Sequence, residues 1–294
     1  MIEAQPSRTA LRVALRRAAH QLHDAKPLVF EDPLAVSILG KEHYEEVKRT
    51  PDSVKRPFSA ALRAFMVVRA RLAEDTLAAA VRELGVRQYL VLGAGLDTFA
   101  CRNSYEGVRV FEVDHPATQA WKMKLLAGAG IVPPERARFV AVDFEKDSLR
   151  GRLKAAGFDE RVPTVTAWLG VVPYLTTEGF RATMRLLARF TAGSEVVFDY
   201  SQPREVLPPV EQLMHDSLSA RVALAGEPFQ LFFTPAQLAE ELEWLGMRVV
   251  EDLDSAAMTA RYLAGRKDGL LLRGKAGRIC VASSTGAEVE EVRD

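Results

Sequence analysis

The stretch YLVLGAGLDT, residues 89–98, is an apolar run that leads directly into a pair of glycines. A strand that ends in such a loop is typical of an open α/β sheet, in which ligands bind beyond the carboxyl ends of the strands. Gly93 and Gly95, with Ala94 between them, allow backbone N–H groups to approach a ligand closely. A dinucleotide-binding loop needs a third small residue three positions after the second glycine, and Thr98 stands there instead. The loop therefore predicts a ligand other than a dinucleotide, although a glycine turn without any ligand stays an alternative.

Short apolar runs rich in β-branched residues recur along the chain and alternate with segments of helical spacing. In chain order these runs are QYLVLG, VRVFEVD, ARFVAVD, PTVTAWLG, SEVVFDY, MRVVEDL and RICVAS. Seven strands interleaved with helices predict an open, mainly parallel α/β sheet with crossover connections.

Helical patterns occupy three other parts of the chain. Residues 7–24 predict an amphipathic helix with Ser7 in position to cap it, and residues 59–84 predict a long helix that ends before Gly85. The interval 201–233 is too long for a plain connection and predicts a helical insertion near the functional face.

The composition excludes several classes of protein. Lys plus Arg total 39 and Asp plus Glu total 39, a balance that gives no attraction to nucleic acid or to anionic membranes, so we expect a small-molecule partner. The N-terminus lacks a signal-peptide pattern and no apolar run reaches the roughly 20 residues that span a bilayer, so we expect a cytoplasmic protein.

Cys101 and Cys280 are too far apart for a disulfide framework or a zinc site. His20 and His23 have a metal-like spacing without a third ligand, so we expect no metal.

Two carboxylates follow the glycine loop at the ends of the next two predicted strands. Asp114 ends VFEVD, 19 residues after Gly95, where an acid can accept hydrogen bonds from ribose hydroxyls. Asp143 ends FVAVD, where it can accept a hydrogen bond from an adenine amine, and Phe144 can pack on the ring face. Each acid alone is equally consistent with a helix N-cap. Together with the loop they predict an adenosine site without a pyrophosphate cradle, which fits S-adenosylmethionine.

The chain resembles the leucine carboxyl methyltransferase family, especially its bacterial branch of S-adenosylmethionine-dependent O-methyltransferases. The likeness runs from about residue 7 to residue 283, and it rests on RARLAEDTLAAAVRELGVRQYLVLGAGLDTFACR, VFEVDHPATQAWK, VDFEKD and WLGVVPYLT. It implies a Rossmann-like class I methyltransferase fold with a seven-stranded, mostly parallel sheet, an antiparallel last strand and N-terminal helices that form a lid.

The resemblance also implies roles for individual residues. Arg71 matches the arginine that holds the methionine carboxylate, and a guanidinium suits that task. Gly95 matches the loop contact and Asp114 the ribose ligand. Asp143 and Phe144 match the residues at the adenine edge.

One position departs from the family pattern. Many members have a glutamate before the Gly-Val pair that follows the fourth strand, whereas this chain has Leu169 there. Backbone contacts from Leu169 and Gly170 to the cofactor remain expected, and a change of substrate is the alternative. His115 directly follows Asp114, the expected ribose ligand, and is expected near the cofactor as a turn residue.

The sequence does not decide whether the methyl acceptor is a carboxylate or a phenol of a small metabolite. A carboxylate, with a pKa of about 4, needs no general base, whereas a phenol, near 10, benefits from one. Tyr200, Arg261 and Tyr262 are the candidates for contact with the acceptor, and Arg8 is a further candidate in the lid. Each is also consistent with a packing or surface role. An NAD-dependent oxidoreductase and a non-catalytic relative that binds cofactor remain alternatives.

The expected organisation is a single methyltransferase domain over residues 1–294. Its parts are a helical lid over 1–58, a cofactor-binding core over 59–200, an insertion over 201–233, the C-terminal part of the sheet over 234–283 and a flexible tail over 284–294.

Overall fold

A computed structural model describes residues 7–49, 56–144, 146–224 and 226–286. Its centre is a seven-stranded sheet, and each predicted run forms one strand. The strands are β1 Gln88–Leu92, β2 Arg109–Asp114, β3 Ala137–Ala141, β4 Thr164–Trp168, β5 Glu195–Ser201, β6 Met247–Leu253 and β7 Gly277–Ser284.

Helices connect these strands and cover both faces of the sheet. They are α1 Arg8–His23, α2 Gly40–Arg49, α3 Pro57–Glu83, α4 Phe99–Arg102, α5 Pro116–Gly128, α6 Leu149–Ala155, α7 Thr177–Ala188, α8 Pro209–Ala223, α9 Pro235–Trp244 and α10 Ser255–Tyr262. The Ser7 hydroxyl accepts a hydrogen bond from Ala10 N at 3.1 Å, which confirms the predicted cap of α1. The predicted insertion contains α8.

The strand order in the sheet is β3-β2-β1-β4-β5-β7-β6. Strand β1 pairs in parallel with both β2 and β4, and β7 runs antiparallel to its two neighbours, β5 and β6. The predicted class I methyltransferase sheet is therefore confirmed. Because the chain turns to opposite sides of β1, a crevice opens beyond the carboxyl ends of β1 and β4.

Core packing on both faces of the sheet explains why the sequence of β1 is an unbroken apolar run. Successive side chains of a strand point to opposite faces, so Tyr89 and Val91 pack into one core cluster while Leu90 and Leu92 pack into the other. A parallel strand covered by helices on both faces has no solvent side and so shows no polar alternation.

The N-terminal helices pack over the glycine loop. A third core cluster joins Ala14 and Ala18 of α1 to Leu39, to Leu96 of the loop and to Leu126 of α5. Residues 7–49 are therefore tied to the edge of the sheet where ligands bind.

A buried ionic network also connects helix α1 to the glycine loop. Arg17 Nη1 donates to Asp97 Oδ2 at 2.6 Å, and Nη2 donates to Asp32 Oδ2 at 2.6 Å. The Thr98 hydroxyl donates to Asp32 Oδ1 at 2.7 Å. Burial acts to raise the pKa of Asp97, but attraction to Arg17 and Arg102 outweighs it and holds that pKa well below its usual range. The Asp-Thr pair after the glycines therefore fixes helix α1 in place.

The boundary of the predicted tail needs correction. Ser284 is the last residue of β7, is buried, and donates a hydrogen bond to Thr191 O at 2.9 Å. A β-strand residue paired on both sides is not part of a flexible tail. Residues 287–294, like 1–6 and 50–55 of the predicted lid, lie outside the described residues, and the division into parts stays a prediction. Within the described part of the chain, no helix is long and apolar enough to cross a membrane.

Substitution of Arg17 by Met tests the ionic network. The change removes the guanidinium that bridges Asp32 and Asp97 and leaves Arg102 as their nearby cation, so we expect the free energy of unfolding to fall by about 3 kcal/mol, the lower end for a broken buried ion pair. Chemical denaturation measures this loss. The control is Arg8→Met on the exposed start of the same helix, which we expect to change stability by less than about 0.5 kcal/mol. Equal losses in the two variants would contradict the interpretation.

Candidate functional site

A cavity of about 720 Å³ lies beyond the carboxyl ends of β1, β2 and β4. The glycine loop and the segment after β4 form its floor, and residues of α1 and α3 form its roof. This volume is in the range of small-molecule and cofactor sites. The predicted site residues that line it are Gly93, Ala94, Gly95, Asp114, His115, Phe144, Leu169 and Gly170.

The glycines of the loop are required by its conformation and by close packing. Gly93 has φ +66°, and a Cβ there would lie 2.4 Å from Val171 Cγ2. Gly95 has φ +51°, and a Cβ there would lie 3.0 Å from Ala10 Cβ of the roof. Left-handed backbone of this kind strongly favours glycine. The loop is therefore a tight turn packed against Val171 and Ala10, and its residues line the cavity.

Asp114 is positioned by backbone donors. Its Oδ2 accepts a hydrogen bond from Gly95 N at 2.6 Å, and its Oδ1 accepts one from His115 N at 2.7 Å. A carboxylate has about four acceptor positions, so each oxygen keeps one for another donor. Burial raises the pKa of Asp114 despite these two hydrogen bonds. The geometry suits a carboxylate that accepts hydrogen bonds from two ligand hydroxyls.

Of the two predicted adenine contacts after β3, Phe144 lines the cavity and Asp143 does not. Phe144 lines the cavity with 54% of its surface exposed, so its ring face is available to a flat group. Asp143 does not line the cavity, because its carboxylate is turned toward Lys146 Nζ at 3.1 Å. The His115 ring accepts a hydrogen bond from Ala117 N at 3.2 Å through Nδ1 and caps α5. Its side chain is therefore a turn element, as expected.

Arg69, which the sequence analysis did not single out, provides a guanidinium at the other end of the cavity. Its Nη1 donates to Asp199 Oδ2 at 2.8 Å, and Asp199 Oδ1 accepts from Gly170 N at 2.6 Å. The other guanidinium N–H groups of Arg69 have no acceptor among the described residues. Asp199 therefore orients both this arginine and the loop after β4.

Arg71 lies elsewhere, which corrects its predicted role. Its Nε donates to Asp75 Oδ1 at 2.7 Å, and it borders a separate, more open cavity together with Arg261 and Tyr262. Residues two apart on a helix point in nearly opposite directions. Arg69 faces the cavity at the end of the sheet, so Arg71 faces away from it.

The three predicted acceptor contacts are not brought to this cavity either. Arg261 pairs with Glu251 at 2.8 Å, and the Tyr262 hydroxyl donates to Asp75 at 3.2 Å. Tyr200 is 1% exposed, and its hydroxyl donates to Asp252 Oδ2 at 2.8 Å. Their side chains are held by carboxylates of β6, Glu251 and Asp252, and of helix α3, Asp75.

The N-terminal end of α1 contributes to the roof, though not through Arg8, whose side chain is exposed. Instead, the Ser7 hydroxyl donates to Glu227 Oε1 at 2.9 Å and the Thr9 hydroxyl donates to Glu227 Oε2. Tyr174 lines the same region, and burial raises its pKa to about 12. We call the region around Tyr174 and Glu227 the acceptor end, and the region around Asp114 and Phe144 the adenosine end.

The histidines of α1 have structural roles. His20 Nδ1 lies 2.7 Å from Asp24 Oδ2, and His23 Nε2 lies 2.9 Å from Val47 O. Among the described residues, no group of three or more His, Cys, Asp or Glu side chains is arranged to hold a metal ion.

Comparison with known proteins assigns the family. The family model for leucine carboxyl methyltransferase matches residues 10–188, which include the glycine loop and most of the residues that line the cavity. The chain belongs to the leucine carboxyl methyltransferase family. The predicted resemblance is therefore confirmed, and with it the enzyme class, a methyltransferase that uses S-adenosylmethionine.

Individual relatives agree with this assignment. YktD of Bacillus subtilis, provisionally named an S-adenosyl-L-methionine-dependent methyltransferase, is 30% identical over 293 residues and covers 92% of this chain and 95% of its own. A Thermobifida fusca protein, provisionally named a methyltransferase, shares the fold with a TM-score of 0.57 at 14% identity, covering 97% of each chain. A Streptomyces avermitilis protein of the DUF574 family has a TM-score of 0.55 at 22% identity, covering 84% of this chain and 94% of its own.

The cavity of this family member fits S-adenosylmethionine. The positive φ of Gly93 and Gly95 turns the loop backbone along the cavity, and Gly95 N holds the Asp114 carboxylate beside it. Asp114 has acceptor positions for two ribose hydroxyls, and Phe144 offers a ring face to adenine. Arg69 has N–H groups available for the methionine carboxylate.

Substitution of Gly170 by Ala tests the position of Arg69. Gly170 has φ +71°, and a Cβ there would lie 2.7 Å from Arg69 Nη2, so the guanidinium must move. We expect the Kd for S-adenosylhomocysteine, measured by calorimetry, to rise about tenfold, the effect of losing about 1.4 kcal/mol. Gly130→Ala is the matched control, because Gly130 has φ +70° and nothing within 4 Å of its Cβ position. An unchanged Kd in Gly170→Ala would show that Arg69 does not hold the ligand.

Proposed function

We propose that this methyltransferase transfers the methyl group of S-adenosylmethionine to a carboxylate oxygen of a small organic acid. The observation that carries the proposal is the lack of a free general base among the described residues of the acceptor end. A carboxylate is ionised at neutral pH and needs no base, whereas a phenol or an alcohol does.

The adenosine end and Arg69 together hold the cofactor in this proposal. Asp114 accepts hydrogen bonds from the ribose hydroxyls, Phe144 packs against the adenine ring, and Arg69 binds the methionine carboxylate. The sulfonium of S-adenosylmethionine supplies a methyl group that is already activated for transfer. The protein therefore needs to align an acceptor oxygen and to exclude water.

Tyr174 and Glu227 are the ionisable side chains at the acceptor end that a general base could come from, and neither oxygen of Glu227 is without a protein donor. Tyr174, with a pKa of about 12, is a neutral phenol at physiological pH and cannot accept a proton from the substrate. Both carboxylate oxygens of Glu227 accept hydroxyl hydrogen bonds from Ser7 and Thr9. These contacts close the roof of the cavity, so their role is to exclude water and to orient the acceptor.

The oxidoreductase alternative is disfavoured by the surroundings of Thr98. A dinucleotide needs a small residue there so that the following helix can approach the pyrophosphate. The Thr98 hydroxyl donates instead to Asp32, and Arg17 occupies the adjacent space. The position is filled by the contacts that fix α1.

Substitution of Asp114 by Asn tests the ribose contact. An amide places N–H groups opposite the N–H of Gly95 or of His115, so we expect the Kd for S-adenosylhomocysteine to rise about 10- to 100-fold, or about 1.4–2.8 kcal/mol. Calorimetry measures the change, with NAD as a ligand that should not bind. Asp143→Asn, outside the cavity lining, should stay within about threefold of the original Kd. Because burial raises the pKa of Asp114, affinity should also begin to fall, on acidification, above the ordinary aspartate pKa of about 4.

Lability of the product to alkali distinguishes the two acceptor classes. With tritiated methyl groups on S-adenosylmethionine and a panel of carboxylic acids and phenols, we expect the label to appear in products that release volatile methanol in alkali, as esters do. The rate should be nearly constant between pH 6 and 8, because no side chain at the acceptor end must lose a proton. Alkali-stable products, with a rate that rises with pH, would overturn the carboxylate proposal in favour of a phenol.

A further inference from the structure

Helix α8, Pro209–Ala223, carries its apolar side chains on the side that faces solvent. Spacings of three and four residues place one set of positions on a single face of the helix. Ser217 and Ala220 belong to this face and are exposed. Its larger apolar members, with their exposed fractions, are Val210 67%, Leu213 70%, Met214 51% and Leu224, directly after the helix, 86%. We call these residues together the apolar stripe.

The opposite face of α8 attaches the helix to the rest of the protein. Val222 is buried, and the His215 ring packs against Phe232 with 5.5 Å between the ring centroids. Surface helices of globular proteins normally turn their apolar face inward and their polar face outward. The orientation of α8 is the reverse, and exposed contiguous apolar surface of this kind marks a contact with another molecule.

The three longer segments outside the described residues are too polar to cover the apolar stripe. Their sequences are MIEAQP at 1–6, TPDSVK at 50–55 and AEVEEVRD at 287–294. Each contains charged residues and no more than two consecutive apolar ones, whereas the apolar stripe extends along about 20 Å of helix. The expected occupant is therefore a separate molecule.

Charged side chains of both signs flank the apolar stripe. On one flank, Arg204 pairs with Asp216 at 2.8 Å. On the other flank lie Arg221 and Glu211, and neither forms an ion pair with any described residue. Glu211 Oε2 accepts a hydrogen bond from Lys275 N at 2.6 Å. Helices that lie on membranes carry mainly Lys and Arg on their polar face, so these mixed charges favour a protein partner over a lipid surface.

A second copy of α8 fits the apolar stripe when it runs antiparallel about a two-fold axis at Ser217. Residues equally far from Ser217 then lie opposite each other, so Val210 meets Leu224 of the partner subunit and Met214 meets the partner's Ala220. The small side chain at the axis lets the helices approach to the separation of about 8–10 Å that is typical of packed helices. The larger side chains fill the space where the crossing helices diverge.

The same axis brings opposite charges together. A two-fold axis in the plane between two helices places like flanks side by side, so Arg221 of one copy faces the flank that carries Glu211 of the partner subunit. Arg221 is four residues from Ser217 and Glu211 is six, so the two charges lie within about 3 Å of each other along the helix direction. The pair forms twice and favours this partner and this register.

We propose that the apolar stripe is the interface of a symmetric homodimer in which two α8 helices pack antiparallel. A two-fold dimer buries the same patch of both copies, which a self-complementary stripe allows. Among the described residues, those of the apolar stripe are absent from the lining of the methyltransferase cavity. Each copy therefore keeps a complete site of its own, and the inference is independent of the substrate.

Sedimentation equilibrium tests the dimer. Between about 1 and 200 μM, we expect the mass to rise from the 32.5 kDa of one chain toward twice that value. Ser217→Glu sets two carboxylates against each other at the axis and should raise the dimer Kd at least 100-fold. Val132→Glu, at a side chain that is 86% exposed elsewhere, is the control and should leave the Kd unchanged. A monomer at all concentrations, or a dimer that Ser217→Glu does not weaken, would overturn the proposal.

Charge reversal tests the register of the two helices. Arg221→Glu opposes Glu211 of the partner subunit and should raise the dimer Kd about tenfold. The double variant with Arg221→Glu and Glu211→Arg restores the pair, so its Kd should return to within about threefold of the original. Losses that add in the double variant, as two merely structural roles would give, would overturn the antiparallel arrangement.

A cysteine at the axis should trap the dimer covalently. With oxidised glutathione, Ser217→Cys should form a disulfide with its own counterpart, because the axis brings the two Cα atoms into the range that a disulfide spans. Val132→Cys is the control and should not cross-link. Binding of the original protein to vesicles of equal parts phosphatidylserine and phosphatidylcholine, without a dimer in solution, would assign the apolar stripe to a membrane and overturn the proposal.

Discussion

The guanidinium of Arg17, held between the carboxylates of Asp32 and Asp97, is the contact on which the site depends. It joins helix α1 to the loop after β1 in a largely buried setting, where removal of the guanidinium leaves two carboxylates with Arg102 as their nearby cation. Without this contact the crevice of the sheet would remain, but helix α1 would lose its ionic attachment to the glycine loop. The fold of the sheet and the closure of the cavity are therefore separate consequences of the sequence, and the second depends on a few buried charges.

A second side chain, Asp199, also joins two parts of the site through its carboxylate. Asp199 binds Arg69 with one carboxylate oxygen and the amide of Gly170 with the other, so one side chain fixes both a cavity-lining guanidinium and a loop. Asp114 does likewise for Gly95 and His115. Such bridging carboxylates use part of their acceptor capacity on the protein and keep part for a ligand, which provides rigidity without closing the site.

The sheet could be predicted from the sequence because buried parallel strands and the glycine loop leave patterns that local residues determine. The choice between Arg69 and Arg71 could not, because the two arginines differ only in which way the helix is rotated, and that is set by packing of α3 on the sheet. Arg17 was overlooked for a related reason: a buried, paired arginine has the same local sequence as a solvated one. Tyr200 ends a strand at the correct edge, but its hydroxyl is directed toward Asp252 on a strand that is distant in sequence.

Leu169 can be understood from these contacts. The backbone after β4 is held by Asp199 through the Gly170 amide, so a glutamate side chain is not needed to fix its position. Leu169 packs against the core while it lines the cavity, and it removes a negative charge that the family pattern would place there. With Arg69 on the same wall, this loss makes the acceptor end more favourable for an anion. Within the proposed function, the substitution and the lack of a free base favour the same kind of substrate: an acid that arrives ionised and needs positive surroundings more than it needs proton transfer.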